Sequence, residues 1–461
     1  MVLAAGTFFW LVRALLALAP GAALLWPVKK IAAVAAMIGA TIYCIFSGSD
    51  VATERSLIMT LVMFGAALVD RPALSIRNLS IAALIVLARE PEALLGPSFQ
   101  MSFGAVAAMM ALVPLMHRPK LEGAGGLVMR GVVWIGQAVL GLVTTTLVAS
   151  FATAPFAAYH FQSLNPYGLI GNALALPLVS LIVMPSAVLG VLAYPFGLDR
   201  PVWQFMGAAV SQVLDVSAWV GSFSGSTLVV PALGSAALVL LSLGLILVSV
   251  PASALRWLAL VPAGAGLAFA AAPDRYDVFI DRDGAGAAIR GRGGRLSLVG
   301  RPSDFVAEQW LRADGDARSA DDASLRHETK CDLTGCVVAA AGGRWVAFVQ
   351  DFAAFEEDCR RAAVIVTRLK APPTCRAPFV LDGDALKERG AATLRFSPEA
   401  VELRSVRRGR EIRPWSGAEA QRAEMSPAPE RPRRAQPVPE QDFPEEDLKA
   451  SDENEESRSL P

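Results

Sequence analysis

The chain has 461 residues, of which 54% are hydrophobic and 18% charged, and its 42 basic side chains balance 42 acidic ones. A soluble protein carries nearer a quarter charged residues, and a net charge of zero gives no sign of a nucleic-acid partner. The average hides a division: only eight acidic residues (Asp50, Glu54, Asp70, Glu90, Glu92, Glu122, Asp199 and Asp215) precede Pro273. So many Leu, Val, Ala and Met in a soluble core would leave too little polar surface to cover it. The first half therefore reads as an integral membrane protein. The N-terminus has no basic flank, and Arg13 falls inside the first apolar stretch, so no cleavable signal peptide is evident.

The fold class predicted is an all-α polytopic membrane bundle, then a small soluble α+β domain, then a disordered tail. About ten hydrophobic segments are expected, near 3–26, 31–46, 56–69, 73–88, 99–116, 130–153, 167–196, 203–221, 227–250 and 256–272. The stretch Ser47–Ala88 has room for a re-entrant element. Pro177 and Pro185 should kink or break the seventh segment. Lys29, Lys30, Arg71, Arg118, Lys120, Arg130, Arg200 and Arg256 fall in alternate loops, against Arg55 and Arg89 in the opposite ones. Basic loops stay cytoplasmic, so the C-terminal half is expected in the periplasm of a multi-pass inner-membrane protein.

Residues 1–272 form the expected membrane domain and 273–405 the soluble one. In the latter, Tyr276–Asp281, Ala287–Arg290 and Arg295–Val299 read as strands, and Phe305–Arg312 as a short helix. Cys336–Ala341 and Arg344–Gln350 read as a hairpin across Gly342-Gly343. A helix over Phe352–Arg361 leads to a strand at Ala363–Leu369. Residues 406–461, rich in Arg, Pro and then Glu, are predicted disordered, since they cannot bury enough apolar surface to offset ordering entropy. The Arg stretch there is a solvated tail or, as the alternative, a nucleic-acid contact.

Three histidines, His117, His160 and His327, are too few for a metal-dependent hydrolase site. No zinc spacing, Walker loop or cofactor motif is present, so no enzyme, metal or cofactor is expected. Cys331, Cys336, Cys359 and Cys375 lie in the domain placed outside, where an oxidising compartment permits disulfides. The two smallest loops come from Cys331 with Cys336 and Cys359 with Cys375, although four cysteines allow three connectivities. The alternative is four free thiols in a cytoplasmic domain. Cys44, in a membrane segment, reads as packing.

Three stretches of the membrane half carry a family resemblance. The first runs Ser47-Gly48-Ser49-Asp50-Val51-Ala52-Thr53-Glu54-Arg55 to Met59; the second runs from Glu90-Pro91 to Pro97-Ser98-Phe99-Gln100-Met101-Ser102-Phe103. The third passes from Pro155 through Phe161 to Asn172 and Pro177. Together they resemble the competence region of the ComEC family, the channels that pass single-stranded DNA into naturally competent bacteria. The domain after Pro273 looks like the tail of alphaproteobacterial relatives; in many members of the family that position holds a metallo-β-lactamase-like nuclease domain. Without its histidines, that resemblance implies a degenerate remnant. Members also have membrane helices, a periplasmic domain and a Ser-Gly-Leu-His motif upstream of the point where this chain begins. The expectation is therefore a truncated chain that does not transport DNA by itself.

The resemblance implies DNA uptake in transformation, with single-stranded DNA, the lipid bilayer, a periplasmic DNA receptor and a cytoplasmic motor as partners. A phosphate path must be wet and free of acids. Arg55 suits it by drawing phosphate, and Gln100, Ser102 and Asn172 by offering neutral hydrogen bonds. The plainer alternatives are an interfacial anchor or Glu54 partner for Arg55, and interhelical packing bonds for Gln100 and Asn172. Rival functions are an inert or structural remnant of a channel gene and, less favoured, a membrane-tethered nuclease.

Overall fold

The computed structural model describes residues 2–18, 26–112, 127–250, 253–273, 275–340, 343–397 and 400–407. His117, Arg118, Lys120 and Glu122, and nearly all of the stretch 406–461 expected to be disordered, lie outside the described residues.

The membrane half is helical: α1 Val2–Ala17, α2 Val28–Phe46, α3 Val51–Leu68, α4 Ile76–Arg89, α5 Pro97–Leu112 and α6 Leu127–Phe161. Then follow α7 Gly168–Leu178, α8 Met184–Ala193, α9 Asp199–Gly221, α10 Ser235–Ser249 and α11 Leu260–Ala271. Among the described residues, five helical stretches are long and apolar enough to cross a membrane: Val28–Phe46, Val51–Leu68, Met129–Phe161, Gly168–Phe196 and Ala254–Ala271. Shorter apolar helices cover Ala4–Ala17, Pro97–Leu112 and Ser235–Ser249. Their outer faces show Ile38, Ile42, Phe151, Leu181 and Val239 to the surroundings, a surface that lipid covers and water does not. This is a membrane protein.

Small residues let these helices approach. Ala33, Ala36 and Ala40 of α2 are fully buried against α1, and a Cβ at Gly39 would lie 2.9 Å from the Phe8 ring. Close backbone contact of this kind replaces the hydrophobic drive that lipid removes.

Two segment expectations change. The sixth was expected to end near residue 153, but α6 runs through Pro155 to Phe161. The ninth was expected from residue 227, yet β2 (Leu228–Val229) and a loop occupy its start; β1 (Ser163–Leu164) pairs antiparallel with β2. Pro177 lies inside α7 and Pro185 in the first turn of α8, with a π turn over Val179–Val183 between them. The wider turn absorbs the bond that proline cannot make. Ser47–Ala88 forms α3 and α4 joined by a turn.

Contacts join alternate loops. Lys30 Nζ meets Asp70 Oδ2 at 2.7 Å, linking the start of α2 to the turn after α3. On the other set, Arg89 Nη2 meets Glu54 Oε2 at 2.8 Å. The β1–β2 pair continues into Pro231 and Ala232, and the Ala232 N–H donates to the Ala313 carbonyl at 2.9 Å.

That carbonyl belongs to the soluble part, which contains β3 Val278–Ile280, β4 Gly286–Arg290, β5 Leu296–Gly300, α12 Asp304–Asp314, β6 Thr329–Cys331, β7 Gly335–Ala339 and β8 Trp345–Val349. It continues with α13 Phe355–Arg361, β9 Val364–Thr367, β10 Phe379–Leu381, α14 Gly383–Arg389, β11 Ala392–Phe396 and β12 Val401–Ser405. One five-stranded sheet has the antiparallel order β12-β11-β3-β4-β5, and the other has the order β10-β9-β8-β7-β6 with β9 parallel to both neighbours. Their facing sides share a core of Val278, Ile280, Ile289, Val338, Val346, Phe348, Val366 and Leu394. α12 covers the outer side of the first sheet through Leu311, and α13 covers that of the second through Phe355. The strands buried on both sides read as apolar runs for that reason.

Arg290 is buried at the end of β4, an inner strand of the first sheet. Its Nη1 donates to Asp314 Oδ2 at 3.0 Å and to the Gly294 carbonyl at 2.9 Å, while Nη2 donates to the Tyr276 carbonyl at 2.7 Å and to Asp314 Oδ1. Asp277 Oδ1 stands 3.6 Å from Nε. Two carboxylates around one guanidinium thereby hold β3, β4 and α12 together.

Candidate functional site

The Ser47-Gly48-Ser49 turn stops α2 and starts α3. Gly48 and Ser49 take φ values of 86° and 52°, a left-handed bend that glycine adopts without strain. The Ser47 hydroxyl donates to the Cys44 carbonyl at 3.0 Å, and the Ser49 N–H donates to it at 3.0 Å. The next residues enter α3 in register, which turns Arg55 inward, and Arg55 is only 5% exposed.

The Arg55 guanidinium donates to the Ser98 hydroxyl, at the start of α5. The pairing of Arg55 with Glu54 weighed from the sequence is not the one formed, because Glu54 faces outward and takes Arg89. Arg55 is therefore enclosed between helices and not spread on an interface.

Pro91 opens the short turn Pro91–Leu95, where its missing N–H would be unpaired in any case. Gly96 follows, and α5 begins at Pro97. Phe99 and Phe103, one turn apart, stack at 4.3 Å and are buried with Ala82 and Val86 of α4, against Met59 of α3. This face of the motif is packing.

Gln100 points elsewhere. Its Nε2 donates to the Leu94 carbonyl at 3.0 Å, and its Oε1 lies 2.9 Å from His160 Nε2 near the end of α6. An amide oxygen accepts, so the imidazole Nε2–H is the donor and the ring is neutral in that tautomer or charged. Gln100 thus ties α5 to α6 as well as to its own preceding turn. Nearby, Gly104 leaves room for Phe156 and Leu245; a Cβ there would come within 3.0 Å of the former and 3.1 Å of the latter.

Of the residues singled out for a DNA path, Arg55 and Gln100 both sit at this end of α3 and α5. Ser102 is half-buried further along α5, and Asn172 is exposed on α7. Phe161 is exposed at the end of α6. The direct partners are two residues with no assigned role in the sequence reading, Ser98 and His160. Ser98 belongs to the second of the three motif stretches, and His160 immediately precedes Phe161 of the third. A lone histidine beside a segment end, with a glutamine near another, was the available signal.

In the soluble part, Cys331 is bonded to Cys336 and Cys359 to Cys375. The first bond crosses directly opposite positions of β6 and β7; the second fastens α13 to the loop before β10. Cys44 is free and buried. Asp332 closes the β6–β7 turn: its Oδ1 accepts from the Thr334 hydroxyl at 2.7 Å, from the Thr334 N–H at 2.7 Å and from the Gly335 N–H at 2.9 Å. These bonds hold its carboxyl below the usual aspartate range. Burial, then Glu357 and Asp332, push the Asp358 carboxyl up. His327 follows the short turn Ala323–Arg326, and among the described residues no cluster of three His, Cys, Asp or Glu side chains is arranged for a metal.

The family described as Competence protein matches this chain over residues 1–254. No curated protein and no solved structure matches it.

Proposed function

The chain belongs to the Competence protein family, and from that membership we propose that it is an inner-membrane component of the channel that takes up single-stranded DNA in natural transformation. The observation that carries this reading is the grouping of motif residues at one end of the helices. Arg55 with Ser98 and Gln100 with His160 gather a cation and neutral hydrogen-bonding groups around the first turn of α5. A path for a phosphate-bearing polymer must be wet, and the helices that frame it must satisfy their buried polar groups from within. In this reading Arg55 and Gln100 hold α3, α5 and α6 in the arrangement that frames a path, and Ser102 and Asn172 offer hydrogen bonds along it. About ten helical segments enclose it, and a periplasmic receptor and a cytoplasmic motor deliver and pull the strand.

The same reading puts the soluble part in the periplasm, as a domain of the metallo-β-lactamase-like type without nuclease activity. Three lines support that side. Basic residues concentrate in the loops joined by Lys30 and Asp70, the soluble part touches the loop after β2, and two disulfides suit an oxidising compartment.

The test is transformation of a clean deletion strain. Loss of internalised labelled single strands, with surface-bound duplex retained, is expected. A deletion strain that transforms like its parent would favour the remnant reading instead. Degradation of DNA by the purified protein would restore the nuclease.

A further inference from the structure

A cavity of about 560 Å³ lies among α3, α4, α5 and α6, away from the Arg55–Ser98 contact. We infer that it is a lipid site, in which one acyl chain of an anionic phospholipid fills the cavity while Arg71 and Arg77 hold the phosphate.

The walls leave no work for water. Met59 and Met63 line one side and Met109 and Met110 the other, with Ala82 buried at the floor. Three polar side chains reach the lining, and each is already engaged. The Thr60 hydroxyl donates to the Ser56 carbonyl at 2.6 Å. Asn78 Nδ2 donates to the carbonyls of Pro72 and Ala73 at 2.8 and 2.9 Å. The Thr145 hydroxyl donates to the Gly141 carbonyl at 2.9 Å. A volume of this size holds many waters, and each would need two or more polar partners that the walls do not offer. An empty cavity forfeits dispersion contacts on every wall. A flexible hydrocarbon chain restores them, and methionine side chains adapt to its shape.

The rim supplies the charge. Leu74 is exposed at the mouth. Arg71 and Arg77 do not line the cavity themselves, but both are exposed and flank in the chain its lining residues Ala73, Leu74 and Asn78, within reach of a headgroup for side chains of their length. The one acid in that turn, Asp70, is taken by Lys30, with Lys29 also acting on it. The segment that borders the mouth, residues 70–78, therefore keeps a basic excess for a lipid phosphate.

The experiment reconstitutes the full chain in nanodiscs with phosphatidylglycerol or phosphatidylcholine carrying a photoreactive group midway along one acyl chain. Adducts are mapped by mass spectrometry. They are expected to concentrate on Met59, Met63, Met109 and Met110, and to favour phosphatidylglycerol. Met110→Trp, which fills the cavity, removes most of them. Thr145→Leu, from α6, acts in the same direction, so the result does not rest on one variant. Ile38→Trp, on an exposed face of α2, leaves them unchanged. Replacing both Arg71 and Arg77 by Gln lowers the preference for phosphatidylglycerol by roughly tenfold or more. Adducts spread evenly over the outer faces, or indifferent to Met110→Trp and Thr145→Leu, overturn the proposal. So does finding those methionines covered by another part of the chain or by a second copy. Equal labelling by the two lipids overturns the headgroup assignment.

Discussion

Arg55 and Ser98, forty-three positions apart, meet as donor and acceptor and so fasten α3 to the first turn of α5. Truncating the acceptor leaves a buried cation short of a partner, and a hydrogen bond to a charged group contributes about 1.5–3 kcal/mol. Ser98→Ala should lower the stability of the detergent-solubilised protein by that order, and Ser98→Thr should largely spare it. Thermal unfolding measures both. A Ser98→Ala protein as stable as the parent would mean that Arg55 finds its compensation elsewhere.

The contact between Gln100 and His160 predicts coupling. Single changes to Gln100→Leu and His160→Leu should each destabilise, while the double change should cost less than their sum. The interaction energy of the cycle is expected at about 0.5–1.5 kcal/mol. Additive costs would mean that the two side chains do not act on one another.

Arg290 predicts a larger effect. Removing a buried cation from between Asp277 and Asp314 leaves acids without compensation, and such losses cost about 3–5 kcal/mol. Arg290→Met should expose the soluble part of the full chain to proteolysis, with new cleavages between Val278 and Ser405. Replacing Arg290, Asp277 and Asp314 together by apolar residues of similar size should recover much of the loss. A single Arg290→Met protein that resists protease as well as the parent would refute this.

Asp358 gives a pH dependence. Burial raises its carboxyl above the unfolded value, so the folded state holds the proton more tightly than the unfolded one. That contribution is therefore complete at pH below the ordinary aspartate range near 3.9 and lost as pH rises through the folded value. Asp358→Asn mimics the protonated group and should raise the melting temperature at pH 7. The gain should disappear near pH 3, where both forms are neutral. An equal gain at both pH values would point to packing and not to ionisation.

The disulfides and the sidedness can be read together. With intact cells, an impermeant thiol reagent should label Cys331, Cys336, Cys359 and Cys375 only after reduction. An alkaline phosphatase fused after Arg404 should be active. Labelling without reductant would mean free thiols, and an inactive fusion would reverse the proposed topology.

The sequence was most informative where neighbours in the chain are neighbours in space. The hairpin of β7 and β8 and the strands β3, β4 and β5 were legible from turn chemistry and apolar runs. β11 and β12 were not, because Arg395, Glu402 and Arg404 interrupt their apolar pattern and resemble the charged stretch that follows. The partner of β11 on its buried side, β3, lies more than a hundred residues earlier, a pairing that no local pattern announces. β6 was missed because Thr329-Lys330-Cys331 is short and polar. At the site, Arg55 and Gln100 stood out because polar groups are rare in apolar segments. Their partners did not, since a serine in a motif and a histidine at a segment end acquire meaning only when α5 and α6 are brought side by side.

The soluble part leaves the helices through α11, yet it is also held by the Ala232–Ala313 hydrogen bond and by Pro231 seated against Gly315, where a Cβ would lie 2.9 Å from the proline ring. A body hung from one strand of chain can swivel freely. One held at two separate places keeps a single easy motion, a rocking about the line that joins them. The second of those places, Pro231, runs on through the β1–β2 pair to the end of α6, so a tilt of the soluble part would reach the membrane helices there.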